Sequence, residues 1–259
     1  MKNLFDVNGK VAVVTGGSRG IGAMIAKGFV ENGVKTYITA RKQEELNATA
    51  EELNQLGGGE CVPVASDLST LEGVTAFADA IKSKEQQVDI LVNNAGATWG
   101  APIDEFPEAG WDKVMDLNVK SLFFLTQQLL PALRESGNQD DPARVINIAS
   151  INGLFNPAMT NYSYSASKAA VIHLTKHLAA DLVNEYVNVN GIAPGFFPSK
   201  MTAFALEGHE EAAAAAIPRG RIGTPEDAAG TSIYLSSRAS AWITGHTIVL
   251  DGGQYTCAK

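Results

Sequence analysis

From its first residues the chain switches between two hydropathy regimes. Short runs rich in Val, Ile and Ala are apolar at nearly every position, and the longer stretches between them repeat apolar residues at helical spacing. The short runs predict strands over 10–15, 34–40, 60–65, 88–93, 144–150, 187–192 and 247–250. Continuous apolar character fits strands covered on both faces, as in a parallel sheet. The longer stretches predict helices over 20–32, 42–56, 70–86, 110–135, 162–185 and 225–236. Thr224 before Pro225 marks the start of the last one. Threonine suits the N-cap, and proline suits a first helical position whose N–H has no partner anyway. Strand and helix alternate, which predicts an α/β fold with about seven parallel strands, doubly wound, and helices on both faces. No linker, low-complexity run or repeat interrupts the chain, so residues 1–259 are expected to form a single domain. One stretch stands apart. Residues 196–223 follow Pro194-Gly195, open with FFPSKMTAF and carry an Ala run, and read as an inserted lid, helical in part.

Composition narrows the function classes. Hydrophobic residues make up 45% and charged residues 19% of the chain, enough to bury a core and to exclude general disorder. The net charge of −8 argues against sequence-independent binding of nucleic acid or an anionic membrane. No apolar run is long enough to span a bilayer. The start, MKNLFDVNGK, lacks the apolar core of a signal peptide, which argues against secretion. Cys61 and Cys257 are too few for a disulfide framework or a structural zinc site. They read as ordinary thiols of a reducing, cytoplasmic compartment.

The first strand runs into GGSRGIG and then a helix, placing Gly16, Gly20 and Gly22 on a TGxxxGxG pattern. Glycines there permit a tight turn, close approach of backbone to a pyrophosphate and close helix–strand packing. The helix N-terminus adds unpaired N–H groups and a positive dipole end. A site for NAD usually has an acid at the end of the second strand, accepting from the ribose 2′-OH. Here that position is Ala40, followed by Arg41, and no acid appears before Glu44. Arg19, inside the turn, can approach the same pocket. Two guanidiniums match a 2′-phosphate through forked donors and permanent charge, which favours NADP(H). Asp67, at the end of the third strand, is either an acceptor for the adenine amino group or the N-cap of the next helix. Asn93-Asn94-Ala95-Gly96 closes the fourth strand, where the crevice of an open parallel sheet is expected.

Tyr164 and Lys168 stand four residues apart at the start of a helical run, on one face and one turn apart. A free tyrosine, with a pKa of about 10, is a poor acid or base at neutral pH. A neighbouring ammonium favours the phenolate. A shift of about 3 units needs roughly 4 kcal/mol, which Lys168 and the positive nicotinamide of an oxidised cofactor together can supply. Tyr162 has Ala166 four residues on and so lacks a basic partner. Ser150 ends the fifth strand, where its hydroxyl can polarise a carbonyl, and no histidine is placed to make it a nucleophile. Asn118 lies inside a predicted helix although it forms helix poorly. A side chain binding water or backbone there can complete a proton route. His173 and His177 share a helix face, but no third ligand accompanies them, so no metal site is expected.

Together, TGGSRGIG, NNAG, LNV with Asn118, Ser150, YSASK, APG at 193–195 and the terminal DGG resemble the short-chain dehydrogenase/reductase superfamily from Lys10 to Gly253. The resemblance implies a Rossmann-type sheet, a homotetramer or homodimer, and direct hydride transfer between a nicotinamide and a carbonyl or alcohol carbon. It implies Tyr164 as acid/base, Lys168 on the nicotinamide ribose, Ser150 on the carbonyl and Asn118 supporting a water relay. It places cofactor contacts at Gly16, Ser18, Arg19, Gly20, Ile21, Gly22, Arg41, Asp67, Leu68, Asn94, Ala95, Gly96, Tyr164, Lys168, Pro194 and Gly195. More narrowly, NNAGATWGAP, GWDKVMDLNV, PARVINIAS and IAPGFFPSKMT are similar to bacterial NADPH-dependent 3-oxoacyl-[acyl-carrier-protein] reductases of the rhamnolipid-pathway type.

Trp99, Leu154, Phe155, Met159, Phe196, Phe197, Met201 and Phe204 are candidates to line the site of a hydrophobic carbonyl substrate. An acyl carrier protein is acidic, and the chain opposes it with its net charge, Asp181, Glu185 and the loop ESGNQDD. Arg134, Lys176, Arg219 and Arg221 are the cations that can offset this. Two other readings stand: a sugar, polyol or other secondary-alcohol dehydrogenase of the same superfamily, and a non-catalytic dinucleotide sensor. The Phe/Met-rich lid disfavours the first, and the presence of both Tyr164 and Lys168 disfavours the second.

Overall fold

Seven short strands and the helices between them assemble as the hydropathy pattern requires. The computed structural model describes residues 3–156, 159–199 and 210–257. The strands are β1 (Val11–Thr15), β2 (Lys35–Thr39), β3 (Glu60–Pro63), β4 (Ile90–Asn93), β5 (Ala143–Ile148), β6 (Val187–Pro194) and β7 (Thr247–Leu250). They form one parallel sheet in the order β3-β2-β1-β4-β5-β6-β7. Strand order reverses between β1 and β4, which opens a crevice at their carboxyl ends.

Alternate residues of β1 serve opposite faces. Ala12 and Val14 pack with Ile25 and Phe29 of α1 (Gly20–Glu31), Leu46 of α2 (Gln43–Gln55) and Ala228 and Leu235 of α8 (Pro225–Ser236). Val13 turns to the other face, with Phe77 of α3 (Leu71–Lys82), Leu125 and Leu129 of α5 (Ser121–Ser136) and Ala179 of α6 (Tyr162–Leu182). A strand covered on both sides has no polar face, which is why its sequence is apolar throughout. The capping of α8 is stronger than Thr224 and Pro225 imply: the backbone N–H and hydroxyl of Thr224 both donate to Asp227 Oδ2, at 2.9 and 3.1 Å.

The helix expected over 110–135 is not continuous. It is α4 (Glu108–Met115), a π turn over Asp116–Lys120, and then α5. A π turn widens the helix by one residue, and such turns cluster at functional sites. The helix expected over 70–86 stops at Lys82, and 162–185 ends as α-helix at Leu182 with a 3-10 turn, Val183–Glu185, beyond it. The strand expected over 187–192 runs on to Pro194. Within the stretch 196–223, the short helix α7 (Glu210–Ala215) is present.

Candidate active site

The glycine turn after β1 is built by close approach. Gly16 and Gly20 have φ of +65° and +56°, a region open chiefly to glycine. A Cβ on Gly16 would lie 2.9 Å from Asn94 Nδ2, and one on Gly22 would lie 2.3 Å from the Gly16 carbonyl oxygen. Gly17, not singled out by its sequence context, is equally constrained, because its Cβ would meet Ile38 at 2.7 Å. Asn94 explains itself here: Nδ2 donates to the carbonyls of Thr15 (2.9 Å) and Gly16 (3.2 Å), lacing the end of β4 to the turn. The N–H groups of Asn94 and Ala95 both donate to Thr15 Oγ1 at 2.9 Å. Ser18 is held from behind, with its carbonyl accepting from Thr49 Oγ1 of α2 at 2.9 Å.

The first turn of α1 begins at Gly20 and carries no side-chain cap, so its N–H groups suit a pyrophosphate. Ile21 flanks it half-buried. Arg19 and Arg41 are both exposed at this edge. Arg19 Nη1 donates to Glu45 Oε2 at 3.2 Å, and Lys42 Nζ reaches Oε1 of the same carboxylate at 2.9 Å. Asp67 is not the N-cap of α3. Thr70 is, accepting from Gly73 N at 3.1 Å. Asp67 Oδ1 instead takes both the N–H (3.0 Å) and the hydroxyl (2.8 Å) of Ser69. Burial pushes the Asp67 carboxyl upward, but the Ser69 bonds and the nearby Arg41 charge outweigh it and hold it below the ordinary carboxylate range. Leu68 is buried beside it. A glycine cradle, an uncapped helix end, a carboxylate and two exposed guanidiniums fit a dinucleotide carrying a 2′-phosphate.

Across the crevice, Ser150 follows β5 as the N-cap of a 3-10 turn, Ile151–Gly153, and its Oγ accepts from Asn152 N at 3.2 Å. The first turns of α6 bring up Tyr164 and Lys168. Lys168 is buried, its Nζ donating to the Ile148 carbonyl at 2.7 Å and lying 5.6 Å from the centre of the Tyr164 ring. Burial lowers Lys168 from 10.5 to about 8. Burial raises the Tyr164 phenol overall, outweighing the hydrogen bond with Ser150 that lowers it, so the Lys168 ammonium alone does not bring it down as the sequence suggests. Serine, tyrosine and lysine are therefore brought together as expected. A residue the sequence reading passed over makes this possible. Gly153 sits against the backbone of α6, where its Cβ would lie 2.6 Å from the Lys168 carbonyl carbon.

Asn118 lies in the π turn, 2% exposed. Of the two uses open to its side chain, water or backbone, it takes backbone. Oδ1 accepts from Ala97 N at 2.7 Å, while Nδ2 donates to Ala97 O at 3.0 Å and to Ser167 Oγ at 2.9 Å. Gly96 is kept small by it, a Cβ there lying 3.2 Å from Asn118 Oδ1. Pro194 and Gly195 close β6, with Gly195 N donating to Leu250 O at 3.0 Å and its missing Cβ leaving room for Asp251.

The apolar candidates divide. Phe155 and Met159 are exposed on the segment after Ser150, and Phe155 faces Tyr255 with ring centres 6.3 Å apart. Tyr255 went unnoticed because it comes from the chain's far end. Leu154 and Phe196 are half-buried, and Trp99 is too, under the Lys113 ammonium at 5.0 Å. Phe197 is a correction: it is 3% exposed and packed in the core. Met201 and Phe204 lie outside the described residues. Two of the four cations weighed for an acidic carrier are already paired. Arg134 Nε meets Glu185 at 2.6 Å, and Arg221 grips Asp227 with two bonds, 2.6 and 3.0 Å. His173 and His177 are exposed, and the described residues hold no cluster of three metal-ligating side chains. Among them, no helix is long and apolar enough to cross a membrane.

A short chain dehydrogenase family model matches residues 10–210. The chain is 46% identical to the rhamnolipids biosynthesis 3-oxoacyl-[acyl-carrier-protein] reductase of Pseudomonas aeruginosa, over 98% of this chain and 99% of that protein. It is 36% identical to a 2-dehydro-3-deoxy-D-gluconate 5-dehydrogenase of Dickeya dadantii, over 97% of each. Among solved structures, the Pseudomonas aeruginosa RhlG/NADP active-site complex superposes with a TM-score of 0.94, covering 98% of this chain and 100% of that one.

Proposed function

The chain belongs to the short-chain dehydrogenase family, and on that premise we propose that it reduces a hydrophobic ketone to a secondary alcohol with NADPH. The preferred substrates are 3-oxoacyl thioesters or esters and related hydrophobic carbonyl compounds. One observation carries the reading: the Tyr164 phenol lies within reach of Ser150, and the Lys168 Nζ, bonded to the Ile148 carbonyl at the end of β5, lies 5.6 Å from its ring centre. NADPH, when bound, supplies the hydride. Gly16, Ser18, Gly20, Ile21 and Gly22 seat its pyrophosphate, Arg19 and Arg41 its 2′-phosphate, and Asp67 and Leu68 its adenine side. Asn94, Ala95, Gly96, Pro194 and Gly195 shape the nicotinamide end.

Ser150 donates a hydrogen bond to the substrate carbonyl and fixes its direction. Tyr164 gives its phenolic proton to the carbonyl oxygen as the carbon is reduced. Lys168 steadies the phenolate left behind and orients the ribose. Asn118 fixes the π turn beside them. In the resting geometry its two N–H donors are both taken by protein groups, so a relay through it would have to pass by way of those groups rather than a free amide.

The exposed Phe155 and Met159, with Leu154, Phe196 and Trp99, favour a hydrophobic substrate over the sugar acids of the gluconate-type relative. The pairing of Arg134 and Arg221 favours a free or small thioester over one carried on acidic acyl carrier protein. We propose likewise that residues 1–259 act as one domain with a lid at 196–223, assembled as a homotetramer or homodimer in the cytoplasm. Following oxidation of NADPH and NADH against 3-oxoacyl thioesters, their carrier-bound form, 3-oxoesters and ketoses tests it. NADPH-dependent reduction of thioesters or esters is the expected result. Activity on ketoses alone overturns it.

A further inference from the structure

Ser167 is the residue immediately before Lys168, fully buried in α6. Serine is an ordinary-to-poor helix former in mid-helix, and one that bonds back to its own helix tends to bend it. Neither helix stability nor apolar packing calls for a buried hydroxyl there. Its contacts do. Ser167 Oγ accepts from Asn118 Nδ2 at 2.9 Å and donates to the Tyr164 carbonyl at 2.7 Å. Asn118 passes the link on to Ala97, through two further bonds of 2.7 and 3.0 Å. The hydroxyl has one proton and spends it on Tyr164, while its lone pair serves Asn118, so donors and acceptors match along the whole chain.

The α6 end that presents Tyr164 is anchored by Lys168 on the Ile148 carbonyl and by Gly153 packing on its backbone, but not by its own cap. Its N-cap, Asn161, makes no side-chain capping bond. We propose that Ser167 is a positioning residue for the reaction: its hydroxyl fastens the first turn of α6, and so the Tyr164 phenol, to the π turn and to the loop after β4. This rests on the reading of Tyr164 as proton donor. Asn118 then acts on catalysis by holding Ser167 as well as Ala97. Without the link, Tyr164 shifts against Ser150, the N-cap of the 3-10 turn after β5.

The test uses the full-length chain and variants Ser167→Ala, Ser167→Cys, Ser167→Thr and Asn118→Ala, with a 3-oxoester that the wild type reduces. In Ser167→Ala we expect kcat to fall on the order of tenfold, as for a small misplacement of a reacting group. The Kd for NADPH, read by fluorescence titration, stays within about twofold, because the phosphate cradle is untouched. The double variant with Asn118→Ala loses little more than the worse single variant, since both cut one chain of bonds. Ser167→Thr, which keeps the hydroxyl, retains most of kcat. Ser167→Cys keeps the volume, weakens both bonds and falls in between. A further readout separates positioning from mere stability. Ser150 lowers the Tyr164 pKa, so a phenol that drifts from Ser150 moves the alkaline limb of the kcat profile to higher pH. Additive losses in the double variant, or a lower melting temperature with kcat and the alkaline limb unmoved, overturn the proposal. A wild type that reduces no ketone with NADPH overturns the reading of Tyr164 itself, a distinct result.

Discussion

Gly153 and Lys168 touch through their backbones: a Cβ at position 153 would stand 2.6 Å from the Lys168 carbonyl carbon and 2.7 Å from Ala169 N. The 3-10 turn that begins after Ser150 thus rests directly on the helix carrying Tyr164 and Lys168. The relation of hydroxyl, phenol and ammonium is set by this contact as much as by the side chains themselves.

Gly153→Ala therefore pushes the turn off α6. Misplacing a reacting group by about an ångström costs on the order of a hundredfold in rate, and overpacking costs about 1–3 kcal/mol of stability. We expect kcat to fall at least tenfold on that basis, with NADPH affinity nearly kept. Steady-state kinetics with a parallel cofactor titration checks it. Unchanged kcat would show that the turn yields without disturbing Ser150.

On the proposed reading, charge at the edge of β2 sets the choice of cofactor. Arg41→Ala and Arg19→Ala are each expected to weaken NADPH binding by about tenfold or more, the value of a charge-assisted hydrogen bond. NADH binding should barely change. Equal loss for both cofactors, measured as Kd, would remove the two guanidiniums from the 2′-phosphate.

Lys168 gives a pH signature. Burial lowers its pKa from 10.5 to about 8. Above the lower value the folded chain has released the proton, while the unfolded chain keeps it up to the higher one. The unfolded state then binds more protons, so stability from this group rises with pH across that window. The full gain is at most about 3 kcal/mol. Lys168→Met has no proton to release. Its stability relative to wild type, by denaturant unfolding without cofactor, should be greatest near neutrality and decline steadily toward pH 10.5. Parallel pH curves for the two proteins would contradict the burial.

Far from the crevice, at the opposite strand ends, Arg144 is 1% exposed. Its Nη2 meets Asp141 Oδ1 at 3.1 Å, and the same carboxylate takes Lys10 Nζ at 2.7 Å. Burial lowers the Arg144 pKa, and Asp141 counters it. Asp141→Ala leaves a buried cation short of its counter-charge, with an expected cost of about 2–3 kcal/mol, below the full buried-pair value because Asp141 is partly exposed. Adding Arg144→Met should restore much of it. A loss in the single variant under about 0.5 kcal/mol, the range of an ordinary surface pair, would contradict this role.

Much of this was legible along the chain because it is local. The glycine turn, the Tyr164–Lys168 spacing and the strand ends each depend on residues a few positions apart, and local geometry places them. What was not legible depends on partners distant in sequence. The π turn exists around Asn118, whose partners Ala97 and Ser167 lie 21 and 49 positions away. Gly153 matters only once the turn meets α6. Phe197 looked like part of an apolar lid and is core, because Gly223 leaves room for its ring. Arg134 and Arg221 looked available until Glu185 and Asp227 were brought to them.

The most direct test of the central claim is turnover by Tyr164→Phe with a ketone that the wild type reduces, alongside NADPH titration of the same variant. Removing the phenolic hydroxyl leaves the glycine cradle and Lys168 in place. The account predicts that turnover is lost, by about a thousandfold or more as for removal of a positioned acid, while NADPH still binds. Near-wild-type turnover in Tyr164→Phe would contradict it.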